Sequence, residues 1–259
     1  MILPAINTTH KCLREYESQK ASTPVLVCFP HAGGAASAFY PFVSELTQEW
    51  HLLIAQYSGR GSRYSEPLNS SLMQTVEEIT HALKDYQNRE LIFFGHSMGA
   101  KIAFEVAASL HHKPKLLIAS CSPPPDRFSG HRPPSHDYSD AVLSEYLRSL
   151  GGTVADLLEN KEIMELVLPI IRADFQSLNS YTSSVINKRV DVPIIGLVAD
   201  QDTSADSTLV QRWKNWTSRG YATLSVTGNH FYFQNTEIGL AAYIQRALQL
   251  LMVDNENIR

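Results

Sequence analysis

Short runs of aliphatic and β-branched side chains recur along the chain, at Pro24 to Phe29, His51 to Tyr57, Leu91 to Phe94, Leu116 to Cys121, Pro193 to Ala199 and Ala222 to Val226. Each is too short for an ordinary helix and apolar on both faces, which predicts buried strands. Between them the apolar spacing changes to steps of three and four, clearest at Leu72, Val76, Ile79, Leu83 and Tyr86, and again at Ile102, Val106 and Leu110. That spacing lays one stripe along a helix. Strand alternating with helix predicts a mostly parallel sheet with helices on both faces, a single α/β domain over residues 1–259. From Ser122 to about Arg189 the rhythm breaks. The segment opens with the Pro-rich loop SPPPDRFSGHRPPSHDYSD and continues with helical patterns but no convincing strand. Residues 122–189 are therefore predicted to be a helical insertion over the C-terminal edge of the sheet. Open α/β sheets bind ligands at that edge, so the insertion would act as a lid; a purely structural helical layer is the alternative.

Composition narrows the class. Hydrophobic residues make up 44% and charged residues 19% of the 259 residues, enough apolar material for a substantial core and incompatible with disorder. A net charge of -4 provides no global basic field for nucleic acid or an anionic membrane, and neither is expected as a partner. No stretch approaches the apolar length of a membrane span, and the first residues lack a basic segment followed by an apolar run. Cys12, Cys28 and Cys121 are odd in number and widely spaced, which fits a reducing compartment. A cytoplasmic, monomeric protein is the expectation.

The sharpest chemical signal is Gly95-His96-Ser97-Met98-Gly99, fed by the strand at Leu91 to Phe94 and followed by a helical pattern. A serine between strand and helix sits on a tight turn that exposes its hydroxyl, and small residues two before and two after it avoid collision. Ser97 is thus the candidate nucleophile. The helix start beyond it aims backbone N–H groups at developing negative charge, which makes Met98 N–H a candidate oxyanion donor. His96 is read as packing. After the strand ending at Phe29 comes Pro30-His31-Ala32-Gly33-Gly34, whose small residues allow close backbone approach, with Ala32 N–H as the second donor. An ordinary glycine-rich turn is the rival reading. His31 is either a pocket-lining residue or a solvated loop histidine.

A serine hydroxyl needs a base, usually a histidine oriented by a carboxylate. Of ten histidines, His230 lies in a loop after the last predicted strand and before the last helix, where the chain order Ser, acid, His places the base. No histidines show metal-ligand spacing, and no metal or redox cofactor is expected. The acid should follow the strand ending at Ala199, where Asp200, Asp202 and Asp206 compete. Asp202 is favoured; Asp200 follows the strand too closely, and Asp206 suits a helix cap.

Taken together, FPHAGGAASAFYPF from Phe29, GRGSRYSEP from Gly59, FGHSMGA from Phe94, LPIIRADFQSLNSY from Leu168 and GNHFYF from Gly228 make the chain resemble the type II (external) thioesterases of nonribosomal peptide and polyketide synthesis. These are α/β-hydrolases. The resemblance runs from about Val25 to the last helix. It implies hydrolysis of acyl groups from the phosphopantetheine arm of an acyl or peptidyl carrier protein, with Ser97, Asp202 and His230 as the triad and Ala32 and Met98 as oxyanion donors. His31 and Phe231 become candidate substrate-binding residues. Two departures stand out: Ser58 where such proteins usually have proline, and Ala199 where they usually have glycine. Arg172 and Asp174 are read either as an ion pair steadying the lid or as a solvated face, and Arg127, Arg132 and Arg148 as candidate carrier-docking charges. A small-molecule carboxylesterase or lipase of the same fold is the nearest alternative, and a non-catalytic binding protein of that fold the more distant one.

Overall fold

Seven strands build one sheet in a computed structural model that describes residues 10–18, 20, 22–125, 139–151, 160–181, 189–234 and 238–256. They are β1 (Leu13–Tyr16), β2 (Val25–Phe29), β3 (His51–Ala55), β4 (Leu91–His96), β5 (Leu116–Ser120), β6 (Ile194–Ala199) and β7 (Tyr221–Val226), in the order β1-β3-β2-β4-β5-β6-β7. Only β1 is antiparallel to its neighbour. The six predicted strands are all present. β1 has no counterpart in the apolar pattern, because its LREY alternates poorly and pairs along the sheet edge, with only Leu13 and Tyr16 fully buried.

Among the described residues the α-helices are a short α1 (Val43–Leu46), α2 (Leu72–Ala82), α3 (Met98–Ser109), α4 (Asp140–Leu150), α5 (Lys161–Ser180), a short α6 (Ser207–Gln211) and α7 (Leu240–Glu256). Successive strand residues point to opposite faces. Val25, Val27 and Phe29 of β2 pack with α2 and α3, whereas Leu26 and Cys28 pack with α1 and α7. Phe93 and Phe94, fully buried on the two faces, are each worth about 1.5–3 kcal/mol of burial. The three cysteines are buried and unpaired. No helix among the described residues is long and apolar enough to cross a membrane.

Within residues 122–189 the described parts are α4 and α5, each capped by a side chain that accepts a backbone N–H, Ser139 from Val142 and Asn160 from Ile163. Their apolar faces, including Leu143, Leu147, Leu168 and Phe175, join the same core cluster as α2 and α3. The Pro-rich loop, with Arg127 and Arg132, lies outside the described residues.

Topology positions the site. The chain passes from β2 to β3 on one side and returns to β4 on the other, so the direction of winding reverses between β2 and β4. Loops leaving two such strands diverge and open a crevice at their C-terminal ends. The pairing of Phe29 with Gly95 sets the loop after β2 beside the turn after β4.

Candidate active site

Ser97 stands at the junction of β4 and α3 with φ 56° and ψ −119°. For a residue with a side chain this is a sparsely populated conformation, costing about 1–3 kcal/mol, which the surroundings must enforce. They do so with close packing. A Cβ on Gly99 would lie 2.0 Å from the carbonyl oxygen of Phe29, and one on Gly95 would lie 2.5 Å from the Cα of Ala100. The small residues expected on either side of the turn are therefore required by β2 and by α3. Ser97 N–H donates to the carbonyl of Ser120 at 2.9 Å, which ties the turn to β5. Met98, as the first residue of α3, carries one of the N–H groups without an acceptor inside the helix.

His230 and Asp202 come together from the loops after β7 and β6. The Asp202 carboxylate lies 2.7 Å from His230 Nδ1, and both side chains are buried. Ser204 completes the arrangement: its N–H and its hydroxyl donate to Asp202 Oδ1 at 2.8 and 2.7 Å, and its Oγ lies 3.0 Å from His230 Nδ1. Burial by itself opposes ionisation of Asp202, but the bonds from His230 and Ser204 outweigh it and hold the carboxyl below its ordinary value. Asp200 takes a different part. It is exposed and accepts the N–H of Gly228, stapling the His230 loop. Asp206 caps α6 through the N–H of Leu209, as its position predicts.

On the other flank, the turn from His31 to Gly34 closes with a bond from Gly34 N–H to the His31 carbonyl at 3.0 Å, and Gly33 adopts φ +77°. Gly33 N–H donates to Asp174 Oδ2 at 2.7 Å. Asp174 is also held by both terminal nitrogens of Arg60, at 2.5 and 2.8 Å, in a pair exposed by only 4% and 7%. Neither reading of Arg172 and Asp174 holds, the mutual ion pair or the solvated face: Arg172 pairs with Asp140, and Asp174 faces inward. Residues two apart on a helix point to different sides, so the two cannot meet. Breaking one partner of such a buried pair strands the other charge, at a cost of about 3–5 kcal/mol.

Ser97, Met98, Ala32, His31, Phe231 and His230 all line one cavity at the C-terminal edge of the sheet. Its far wall is apolar, from Tyr146, Leu147 and Leu150 of α4 and Met164, Ile171 and Phe175 of α5. A Cβ on Gly151, which ends α4, would come within 2.8 Å of the Asn229 side chain, so α4 abuts the His230 loop. The His31 ring packs edge-on against Phe231 at 4.8 Å. Burial, with His230 and Arg60 nearby, pushes the His31 pKa down to about 3. His96 is fully buried with Nδ1 3.1 Å from Ser120 Oγ and its ring 4.9 Å from that of His230. Burial first, and His230 second, depress its pKa well below the usual value, so His31 and His96 are both neutral at pH 7.

The donor atoms of Cys121, Asp202 and His230 lie within 4.8 Å of one another. Ligand atoms on a tetrahedral zinc ion, each about 2.0–2.1 Å from the metal, stand roughly 3.3 Å apart. The 2.7 Å between Asp202 and His230 is instead the separation of a hydrogen bond. Of the candidate docking charges, Arg148 is exposed on α4 and paired with Glu145; Arg127 and Arg132 lie outside the described residues. Sequence reasoning missed Ser204, Arg60 and the inward role of Asp174. For Ser204 a signal existed, since a serine two residues after an aspartate can close a local turn on its carboxylate. For Arg60 and Asp174, separated by 114 positions, local spacing held none.

Comparison with known proteins adds to this geometry. A family model described as a thioesterase domain matches residues 24–246. Thioesterase PikA5 of Streptomyces venezuelae is 32% identical over 235 residues, covering 86% of this chain and 80% of that protein. The medium-chain S-acyl fatty acid synthase thioesterase of Homo sapiens is 34% identical over 243 residues, covering 89% of each. Among solved structures, YbtT, a type II thioesterase from the yersiniabactin NRPS/PKS biosynthetic pathway, superimposes with a TM-score of 0.77 at 27% identity, covering 94% of this chain and 97% of that one.

Proposed function

The chain belongs to the thioesterase domain family, and from that membership we propose that it is a serine thioesterase of the type II kind, clearing acyl groups from the phosphopantetheine arm of carrier proteins in a nonribosomal peptide or polyketide synthase. One observation carries the catalytic part of this reading. His230, paired with the buried Asp202, and the strained Ser97 line the same apolar-walled cavity.

The chemistry follows. Ser97 Oγ attacks the thioester carbonyl while His230 takes its proton, and Asp202 holds the imidazole in the orientation that exposes its other nitrogen. The N–H groups of Ala32 and Met98 receive the tetrahedral oxyanion. The pantetheine thiol leaves with the proton from His230, and water then repeats the sequence on the acyl-enzyme. Within residues 122–189, α4 and α5 serve as a helical lid, supplying the apolar wall for the acyl chain and limiting water around it. His31 and Phe231 line the cavity beside the reacting carbon, and a neutral His31 adds no positive charge next to the imidazolium that His230 becomes.

The test is hydrolysis of a short-acyl-loaded carrier protein by wild type and Ser97→Ala, with p-nitrophenyl butyrate in parallel. Unloading of the carrier by wild type, lost by at least about 1,000-fold in the variant, is the expected result. Cleavage of the small ester alone would retain the triad and reject the carrier substrate. No cleavage of either would reject the catalytic reading.

A further inference from the structure

We propose that Asp174, locked by Arg60, is a positioning residue for the oxyanion donor at Ala32, so that the oxyanion hole is complete only while α5 is seated on the sheet. This rests on the reading of Ser97 as nucleophile and of Ala32 N–H as a donor.

The turn His31-Ala32-Gly33-Gly34 carries the donor. Its closing bond, Gly34 N–H to the His31 carbonyl, fixes one peptide plane. Carbonyl and N–H point opposite ways across a trans peptide, so the same bond sets the direction of Ala32 N–H. The positive φ of Gly33 is what a turn of this kind demands at its third position. A turn can nevertheless swing as a unit, and its aim at the Ser97 carbonyl site must be fixed from outside. The Gly33 N–H to Asp174 Oδ2 bond, at 2.7 Å, does this. Ile171, one helical turn before Asp174, fills the space where a Gly33 Cβ would stand, at 2.5 Å from it, and blocks movement toward α5.

Charge explains why two residues are needed. A bare carboxylate this near a developing oxyanion would oppose it, whereas one clamped by a guanidinium orients the loop with little net field. Arg60 is itself anchored: its carbonyl accepts from Gln56 Nε2 at 2.7 Å, and Gln56 Oε1 accepts Ala36 N–H at 3.2 Å. The loop after β2, the loop after β3 and the cover helix thus meet at one carboxylate.

The experiment compares Asp174→Asn, the apolar pair Asp174→Leu with Arg60→Met, and Arg60→Lys. Read out are the Tm, kcat and KM on an acyl-carrier thioester and on p-nitrophenyl butyrate, and inhibition by an acyl trifluoromethyl ketone, whose adduct uses the hole. Asp174→Asn is nearly isosteric, and the apolar pair removes both charges together, so at least one carboxylate-free protein should fold. In the apolar pair, which leaves the Gly33 N–H no acceptor, kcat should fall about 10- to 100-fold on both substrates, KM should move less than about threefold, and the ketone should weaken in step with kcat; Asp174→Asn, whose amide oxygen can still accept that N–H, should fall by less. Arg60→Lys, which keeps a positive charge but gives up the two-pronged grip on Asp174, should fall between wild type and the apolar pair. A folded apolar pair with kcat within about twofold of wild type overturns the proposal, as does a loss confined to the carrier substrate, which would make α5 a docking element. Ser97→Ala is run alongside: if it still turns over, the nucleophile reading has failed, and not the role of Asp174.

Discussion

Two buried carboxylates, one on each flank of the cavity, do the same physical job by opposite routes. Asp202 holds its histidine with help from Ser204, two residues away, and all three side chains sit on loops after neighbouring strands β6 and β7. Asp174 holds the turn at Gly33 with help from Arg60, and these three residues come from a cover helix and two separate loops, 141 and 114 positions apart in sequence. On the proposed reading, the proton-transfer half is therefore held by the loops after two neighbouring strands, with no bond from α5 among the described residues. The oxyanion half, on the same reading, is finished by α5, in the segment proposed as a lid. A cover that shifts would leave the base in order and disarm the oxyanion hole, so water entering an open site would meet an incomplete catalyst.

The largest effect that can break this contrast lies on the sheet flank. Asp202→Asn should lower kcat/KM on p-nitrophenyl butyrate by about 1,000- to 10,000-fold, because the amide presents the wrong partner to His230 Nδ1. Asp200→Asn should cost no more than about threefold, since Asp200 only accepts the N–H of Gly228. Comparable losses at the two positions would mean that the carboxylate flank is more distributed than its hydrogen bonds indicate.

Legibility followed the same divide. The sheet flank was readable because each residue sits where a strand ends: the turn at Ser97 declares itself by its flanking glycines, and His230 by its place between the last strand and the last helix. Asp202 could be preferred over Asp200 from loop position, and its bond to His230 agrees with that preference. β1 was invisible because its four residues gain their order from pairing with β3, not from their own pattern. The cover flank was misread because charge spacing within α5 says nothing about a partner in the loop after β3. Asp174 could be read as half of a local pair with Arg172 or as part of a solvated face, and only the tertiary structure supplies Arg60.

A middle-sized effect sharpens the cover flank. Gly33→Ala places a Cβ 2.5 Å from Ile171 Cγ1 on a backbone at φ +77°. Strain and overpacking together should destabilise the fold by about 1–3 kcal/mol in urea unfolding. Ile171→Ala alone opens a cavity at about 2–5 kcal/mol. If the turn is pressed against α5 as the geometry states, the double variant should be less destabilised than the sum of the two by about 0.5 kcal/mol or more. Strict additivity would show that Gly33 and Ile171 do not feel each other, and the coupling of cover to turn would lose its packing component.

The smallest effect concerns Ser204 and divides geometry from charge on the sheet flank. Ser204→Ala removes one hydroxyl bond to Asp202 and its contact with His230, but keeps the backbone N–H bond. A charge-assisted bond of this kind is worth about 1.5–3 kcal/mol, partly recovered by relaxation, so kcat should fall about 5- to 10-fold with KM little changed. The stability difference should also depend on pH with a fixed sign. Asp202 in the folded protein ionises below its ordinary value, so its bonds add stability above the unfolded carboxyl pKa, near 4, and that stability is lost as pH falls through the folded value. Wild type and Ser204→Ala should therefore differ in urea midpoint at pH 7 and converge in strong acid. A gap that persists unchanged at low pH would show that Ser204 supports the loop through packing alone, and that the sheet flank holds its carboxylate with His230 and one backbone N–H.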